Sequence, residues 1–287
     1  MNLYVLQLLN GLAYGMILFL LAAGLSLTFG VGRILNLAHG GFYMLGGYLG
    51  YSVVRSTGSF WLAVAAAPAV GAAVGLAAER LLLRRLHGHG RELDQVLLTF
   101  GLAFVLADAT RMIWGSRILS LNPPAALARP VIVGSFIYPA YPLFVIGVGL
   151  ALALALWGMM RGTRVGAAIR AAAWDGEMAA TLGVPTDRVL MGTFGAGVGL
   201  ASLGGAIGAP IIALAPGLDF TLLVLALIVV ATGGLGRVEG AFWSALLVGV
   251  ADVFGKLFFP RLALVFIFAF MALVLVLRPQ GLLGKRA

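Results

Sequence analysis

The sequence predicts an all-α, polytopic membrane protein of eight or nine spans, and three observations predict it. Hydrophobic residues make up 62% of the 287 positions and charged residues only 10%, where a soluble domain carries roughly 25% charged side chains. Val5 to Phe29, Phe60 to Ala78 and Leu262 to Leu277 hold no charged residue, and such runs suit the ~20 residues a helix needs to cross a hydrocarbon layer about 30 Å thick. The alternating segments of a transmembrane β-barrel are absent. Backbone amides in lipid need internal partners, which a helix supplies.

Taken in order, the first span is placed at 5–29 and read as retained, because MNLYVLQLLNGLAYG has neither a basic leader nor a small-residue cleavage site. The second, 34–54, overlaps GRILNLAHGGFYMLGGY (32–48), where Arg33, Asn36 and His39 sit with five glycines between apolar runs. The remaining spans are placed at 60–79, 95–113, 141–160, 189–209, 220–235, 240–257 and 262–278. Glycine clusters interrupt the second, seventh and eighth, which are read as broken helices. A re-entrant 30–50 would reduce the count to eight and move the N-terminus across the membrane. The whole of 1–287 then forms a single transmembrane domain.

Orientation follows from Lys and Arg, which favour cytoplasmic loops. With the N-terminus outside, thirteen of the 19 fall in cytoplasmic segments, including Lys285 and Arg286, and six fall outside. The C-terminus is cytoplasmic with either span count. This distribution accounts for the net charge of +9 and removes the case for a nucleic-acid partner. Two loops are long. Segment 114–140 lies outside and is extended rather than helical, because Pro123, Pro124, Pro130 and Pro139 interrupt it. Segment 161–188 lies inside, and its alanine-rich run 166–182 predicts one short helix, stopped at Gly183 and Pro185.

The chemistry that is missing narrows the function. There is no cysteine, and the three histidines, His39, His87 and His89, argue against a histidine-rich metal site. No phosphate-binding loop is present: GLLGKR at 281–286 has too few residues between its glycines. No cofactor is expected in this chain, so ATP would have to be hydrolysed on a partner. A gradient-driven transporter would place acidic residues deep in its spans; the candidates, Asp108 and Asp252, have Arg111 and Lys256 at helical neighbour spacing and read as structural pairs. No reactive constellation for a membrane enzyme is found. A weak echo links FGVGRILNLAHGGFYML (29–45) with TGGLGRVEGAFWSAL (232–246), which is either chance in a glycine-rich chain or a sign of repeated halves with broken helices near a substrate path.

Four stretches carry a resemblance that spans nearly the whole chain. GLSLTFGVGRILNLAHGGFYMLGGY (24–48), TRVGAAIRAAAWDGEMAATLGVPTDRV (163–189) with TFGAGVGLASLGGAI (193–207), ATGGLGRVEGAFWSALLVGV (231–250) and LRPQGLLGK (277–285) resemble, in order, motifs of the Liv-type permeases of branched-chain amino acid ABC importers. The resemblance implies the permease fold shared with ribose-type importers and an inner-membrane location. It also implies a second, related permease, two ATPase subunits that bind ATP and Mg, and a substrate-binding protein. Arg237-Val238-Glu239 departs from the family, which often has a small residue and a proline there. The family's coupling region maps here onto 161–188, with Arg164, Gly166, Arg170, Asp175, Glu177 and Gly183 expected to engage an ATPase.

For Arg33, Asn36 and His39 three readings stay open: hydrogen-bonding freed backbone in a broken helix, lining the translocation path, or relaying protons. Asn36, His39, Gly40 and Gly41 are the path candidates. The glycines, with Gly46 and Gly47, also suit close helix packing, and Phe42, Tyr43 and Tyr48 suit packing or interface anchoring. The rival function is an ion- or proton-coupled secondary transporter or channel for small polar solutes.

Overall fold

The computed structural model describes residues 2–33, 35–86, 91–133 and 136–283. His87, His89, Lys285 and Arg286 lie outside the described residues. The chain forms α1 (Asn2–Gly32), α2 (His39–Thr57), α3 (Phe60–Leu81), α4 (Glu92–Trp114), a hairpin of β1 (Pro130–Val133) and β2 (Phe136–Pro139), and α5 (Ala140–Gly162). It continues through α6 (Arg164–Trp174), α7 (Gly176–Thr181), α8 (Thr186–Gly208), α9 (Leu218–Gly233), α10 (Val238–Phe258) and α11 (Ala263–Leu277). Among the described residues six helices, α1, α3, α4, α5, α8 and α10, are long and apolar enough to cross a membrane. The apolar α9 and α11 are shorter, at 16 and 15 residues.

The centre is built from α1 and α8. Every residue of α1 from Gly15 to Thr28 is buried, so this helix is apolar all round because it is surrounded by protein. Glycine lets the backbones meet: a Cβ on Gly24 would lie 2.2 Å from the Gly197 carbonyl of α8. Without a solvent-driven hydrophobic effect between helices in lipid, such close approach supplies the packing energy. α4 and α5 are apolar but largely unburied, as lipid-facing helices must be.

The packing repeats with inverted direction. α1 lies antiparallel on α10, Gly11 against Val250 and Gly15 against Ala245, and α8 lies antiparallel on α3, Ser202 against Gly71 and Val198 against Gly75. Likewise α2 packs on α3 and α4, as α9 packs on α10 and α11. The related units are therefore α1–α4 and α8–α11, and the echo of 29–45 with 232–246 does not join matching positions. In the packing 29–45 corresponds to the α8–α9 connection, while 232–246 bridges α9 and α10. The two stretches instead touch, Gly30 against Gly236.

Two sequence expectations change. The second span does not start at 34: residues 35–38 are non-helical and α2 begins at His39. The reason is local, since Arg33 turns left-handed at φ 51° at the end of α1. Asn36 Oδ1 then accepts from Ala38 N at 3.0 Å and its carbonyl accepts from His39 N at 3.2 Å, a turn that competes with helix. α2 then runs without a break to Thr57. Secondly, the alanine-rich run 166–182 is two helices, because Asp175 is extended at φ −149° and ends α6 while capping α7. Among the described residues of 115–139 there is no helix, and β1 pairs antiparallel with β2, Pro130 opposite Pro139.

Candidate translocation junction and coupling foot

Two places gather the candidate residues. The first is a junction inside the bundle where α2 and α9 both begin. His39 Nε2 lies 3.0 Å from the Leu21 carbonyl, which can only accept, so Nε2 carries the proton and Nδ1 is an acceptor. The contact of Gly24 with this ring puts the start of α2 roughly 12 Å in from the end of α1. α9 starts beside it and runs the other way: a Cβ on Gly40 would lie 2.0 Å from the Asp219 carbonyl, and Leu214 lies against Gly47.

Such an early helix start leaves backbone groups that lipid cannot satisfy. Thr99 of α4 answers for part of them, its hydroxyl accepting from Leu37 N at 3.2 Å and reaching the Leu35 carbonyl at 3.3 Å. On the α9 side, Leu214 pairs with Leu119 of the long loop through two backbone bonds of 2.9 and 2.8 Å.

Asn36, His39, Gly40 and Gly41 are thus brought together, and all four are buried by neighbours in this chain. Gly41 faces Leu106, and Gly46 and Gly47 face Ser202, Gly205 and Leu214. Phe42, Tyr43 and Tyr48 are packing residues, each at most 2% exposed. Among the described residues Asn36 Nδ2 and His39 Nδ1 are buried without a hydrogen-bond partner, which is costly unless a water or a passing solute meets them. Arg33 stands apart, exposed at the end of α1. Thr99 had no sequence signal, being more than 60 residues from its partners.

The second place is the foot formed by α6 and α7. Thr163 Oγ1 accepts from Gly166 N at 3.0 Å and Asp175 Oδ1 accepts from Met178 N at 2.9 Å, capping both helices. Gly166 sits where a Cβ would lie 2.3 Å from the Met159 carbonyl, so the foot is held hard against the end of α5. Gly183, at φ +86°, closes α7, with Val184 N donating to the Ala179 carbonyl. Arg164, Arg170, Asp175 and Glu177 are exposed. So are Val165, Trp174, Met178 and Leu182, with Trp174 at 89%. These apolar residues alternate with the charged ones, and that alternation is the signal in the sequence for them.

The motif at 231–250 meets the described part of the last motif, 277–283. Leu282 N donates to the Thr232 carbonyl at 2.8 Å, and Arg237 donates to the Leu283 carbonyl. Glu239 accepts from Arg161 at 3.0 Å, tying α10 to α5. The charge pairs also form: Lys256 with Asp252 at 2.5 Å and Arg111 with Asp108 at 3.5 Å.

A bundle of apolar helices, two of which start opposed inside it, with a capped helical foot, has the build of a membrane transport protein. Comparison with known proteins agrees. Residues 7–275 match the family described as "Branched-chain amino acid transport system / permease component". This chain belongs to that family.

Among its relatives, a protein of Salmonella typhimurium named "High-affinity branched-chain amino acid transport system permease protein LivH" is 31% identical, over 97% of this chain and 95% of its own. A Pseudomonas aeruginosa protein of the same description, BraD, is 29% identical over 98% and 96%. The solved structure "PsaBC from Streptococcus pneumoniae in complex with Fab" shares the fold, with a TM-score of 0.52 at 13% identity over 94% of this chain and 91% of that one. Family membership sets aside the gradient-driven transporter and the channel.

Proposed function

We propose that this permease component works in an ATP-driven importer of the inner membrane, moving branched-chain or closely related amino acids. It would pair with a second, related permease, two ATPase subunits that hold ATP and Mg, and a binding protein on the outer face. The observation that carries the reading is the foot. α6 and α7 present exposed apolar side chains between charged ones, in the manner of a protein-binding patch, while Gly166 presses them against α5. Closure of an ATPase pair would push this rigid element and rock the helices attached to it. The excess of arginine on the same end supports a cytoplasmic foot and C-terminus.

Asn36, His39, Gly40 and Gly41 lie where two opposed helices start, and motion there would expose the Asn36 amide and the His39 ring to an amino acid's charged groups. Names of the relatives support the substrate class; amides and urea are the alternatives within it. The test is uptake of labelled leucine into proteoliposomes. The expected result is uptake only when the second permease, the ATPases, ATP and the binding protein are supplied. Concentration of leucine by this chain alone under a sodium or proton gradient would refute the reading.

A further inference from the structure

Between α5 and α10, with α6 and the C-terminal tail at its lower end, a groove of about 700 Å³ opens outward. Its walls are Phe19, Leu150, Leu154, Trp157, Phe242 and Trp243. Its mouth is different: Arg161, Arg170 and Arg237 stand there with a single carboxylate, Glu239. Arg161 donates to Glu239 and also lies 4.9 Å over the Trp157 ring, so one guanidinium is partly neutralised and anchored at an aromatic edge. Arg237, half-buried, donates to the Leu283 carbonyl, and Arg170 is exposed on α6.

The dimensions suit one leaflet. From Leu150 to Arg161 the groove follows roughly 16 Å of helix, about half of a ~30 Å hydrocarbon layer. Two tryptophans in the wall are the residues that favour a membrane–water boundary. A helix of another subunit would be a poor occupant, because covering three guanidiniums against one carboxylate leaves charge buried and unpaired. A phosphate with an attached acyl chain meets both halves of the groove.

We propose that this groove is a binding site for an anionic phospholipid of the cytoplasmic leaflet. The headgroup phosphate accepts hydrogen bonds from Arg161, Arg170 and Arg237, and an acyl chain lies along Leu154 and Leu150 against Phe242 and Trp243. Arg170 belongs to α6, so the lipid touches the foot and the α5–α10 wall at once.

The test is a titration of the purified, delipidated full chain with phosphatidylglycerol or phosphatidylcholine of identical acyl chains, read by native mass spectrometry. Phosphatidylglycerol should bind more tightly, and the double variant R161Q/R237Q should lose affinity by about fivefold per arginine removed. The control R55Q/R117Q, on the opposite face, should bind like the parent. Should R161Q/R237Q fail to fold, L150W, which fills the apolar wall and keeps every charge, must weaken binding of both lipids. sn-Glycerol 3-phosphate should not displace the lipid. The proposal is overturned by equal binding of the two lipids, by an equal loss in R55Q/R117Q, or by displacement with sn-glycerol 3-phosphate, which would mark a soluble-anion site. A photo-crosslinker at Leu154 that captures a protein chain instead of lipid in native membranes would overturn it too.

Discussion

The junction at His39 and the foot at Asp175 are both helix starts, yet they are built by opposite means. At the junction the chain is enclosed: Asn36 and His39 are each 0% exposed, and glycine after glycine lets a neighbouring backbone come within contact. At the foot each helix takes its cap from the residue before it; Gly166, Ile169, Ala172 and Ala179 are buried and the outer surface is left open. The contrast separates two jobs. The enclosed start depends on long-range partners and so can respond to movement of α1, α4 or α9. The foot is capped by its own residues and pressed at Gly166 against α5, as an element that transmits a push must be.

Substitutions can break this contrast, beginning with the strongest. Gly46→Val would drive side-chain atoms into the Ser202 backbone, where even a Cβ would be 2.1 Å from a carbonyl. Overpacking of this kind costs ~1–3 kcal/mol or more, and little folded protein should survive size-exclusion in detergent. Gly147→Ala, with nothing within 4 Å, should behave as the parent. A parent-like Gly46→Val would mean that the junction is looser than described.

Asn36→Ala comes next. It leaves Ala38 N without its acceptor at a buried site, a loss of about 1–3 kcal/mol that thermal unfolding should register as a lower Tm. Asp175→Ala should cost only about 1 kcal/mol through the α7 cap. Its larger effect should be on coupling, with ATP-driven uptake down by roughly tenfold, within the usual range of coupling energies. Uptake and Tm falling in proportion would deny the foot its separate role. The smallest change is Arg33→Gly, which relieves a left-handed non-glycine residue and should raise stability by about 1 kcal/mol or less.

Much of the foot was legible in sequence because its determinants are neighbours. The alanine run, Gly183 and Pro185 placed it correctly, and its division at Asp175 was missed only because a capping aspartate inside an alanine-rich run was read as part of one helix. The junction was half legible. Its polar residues and glycines stood out in 32–48, but the groups that enclose this turn, Thr99, the Leu21 carbonyl and the Asp219 carbonyl, lie far along the chain. The echo of 29–45 with 232–246 misled for a related reason: similar glycine spacing marks close backbone contact in general, and here the two stretches are partners, not copies.

Composition and run length by themselves determined that this chain is a helical membrane protein of eight or nine spans, since burial in lipid and helix capping are decided by residues near one another. Only the tertiary structure decided that two helices start inside the bundle, that the packing repeats as α1–α4 and α8–α11, and that arginines 161 and 237 meet at one groove. Those features arise from backbones and side chains brought together across the fold, and no local pattern encodes which distant partner will arrive.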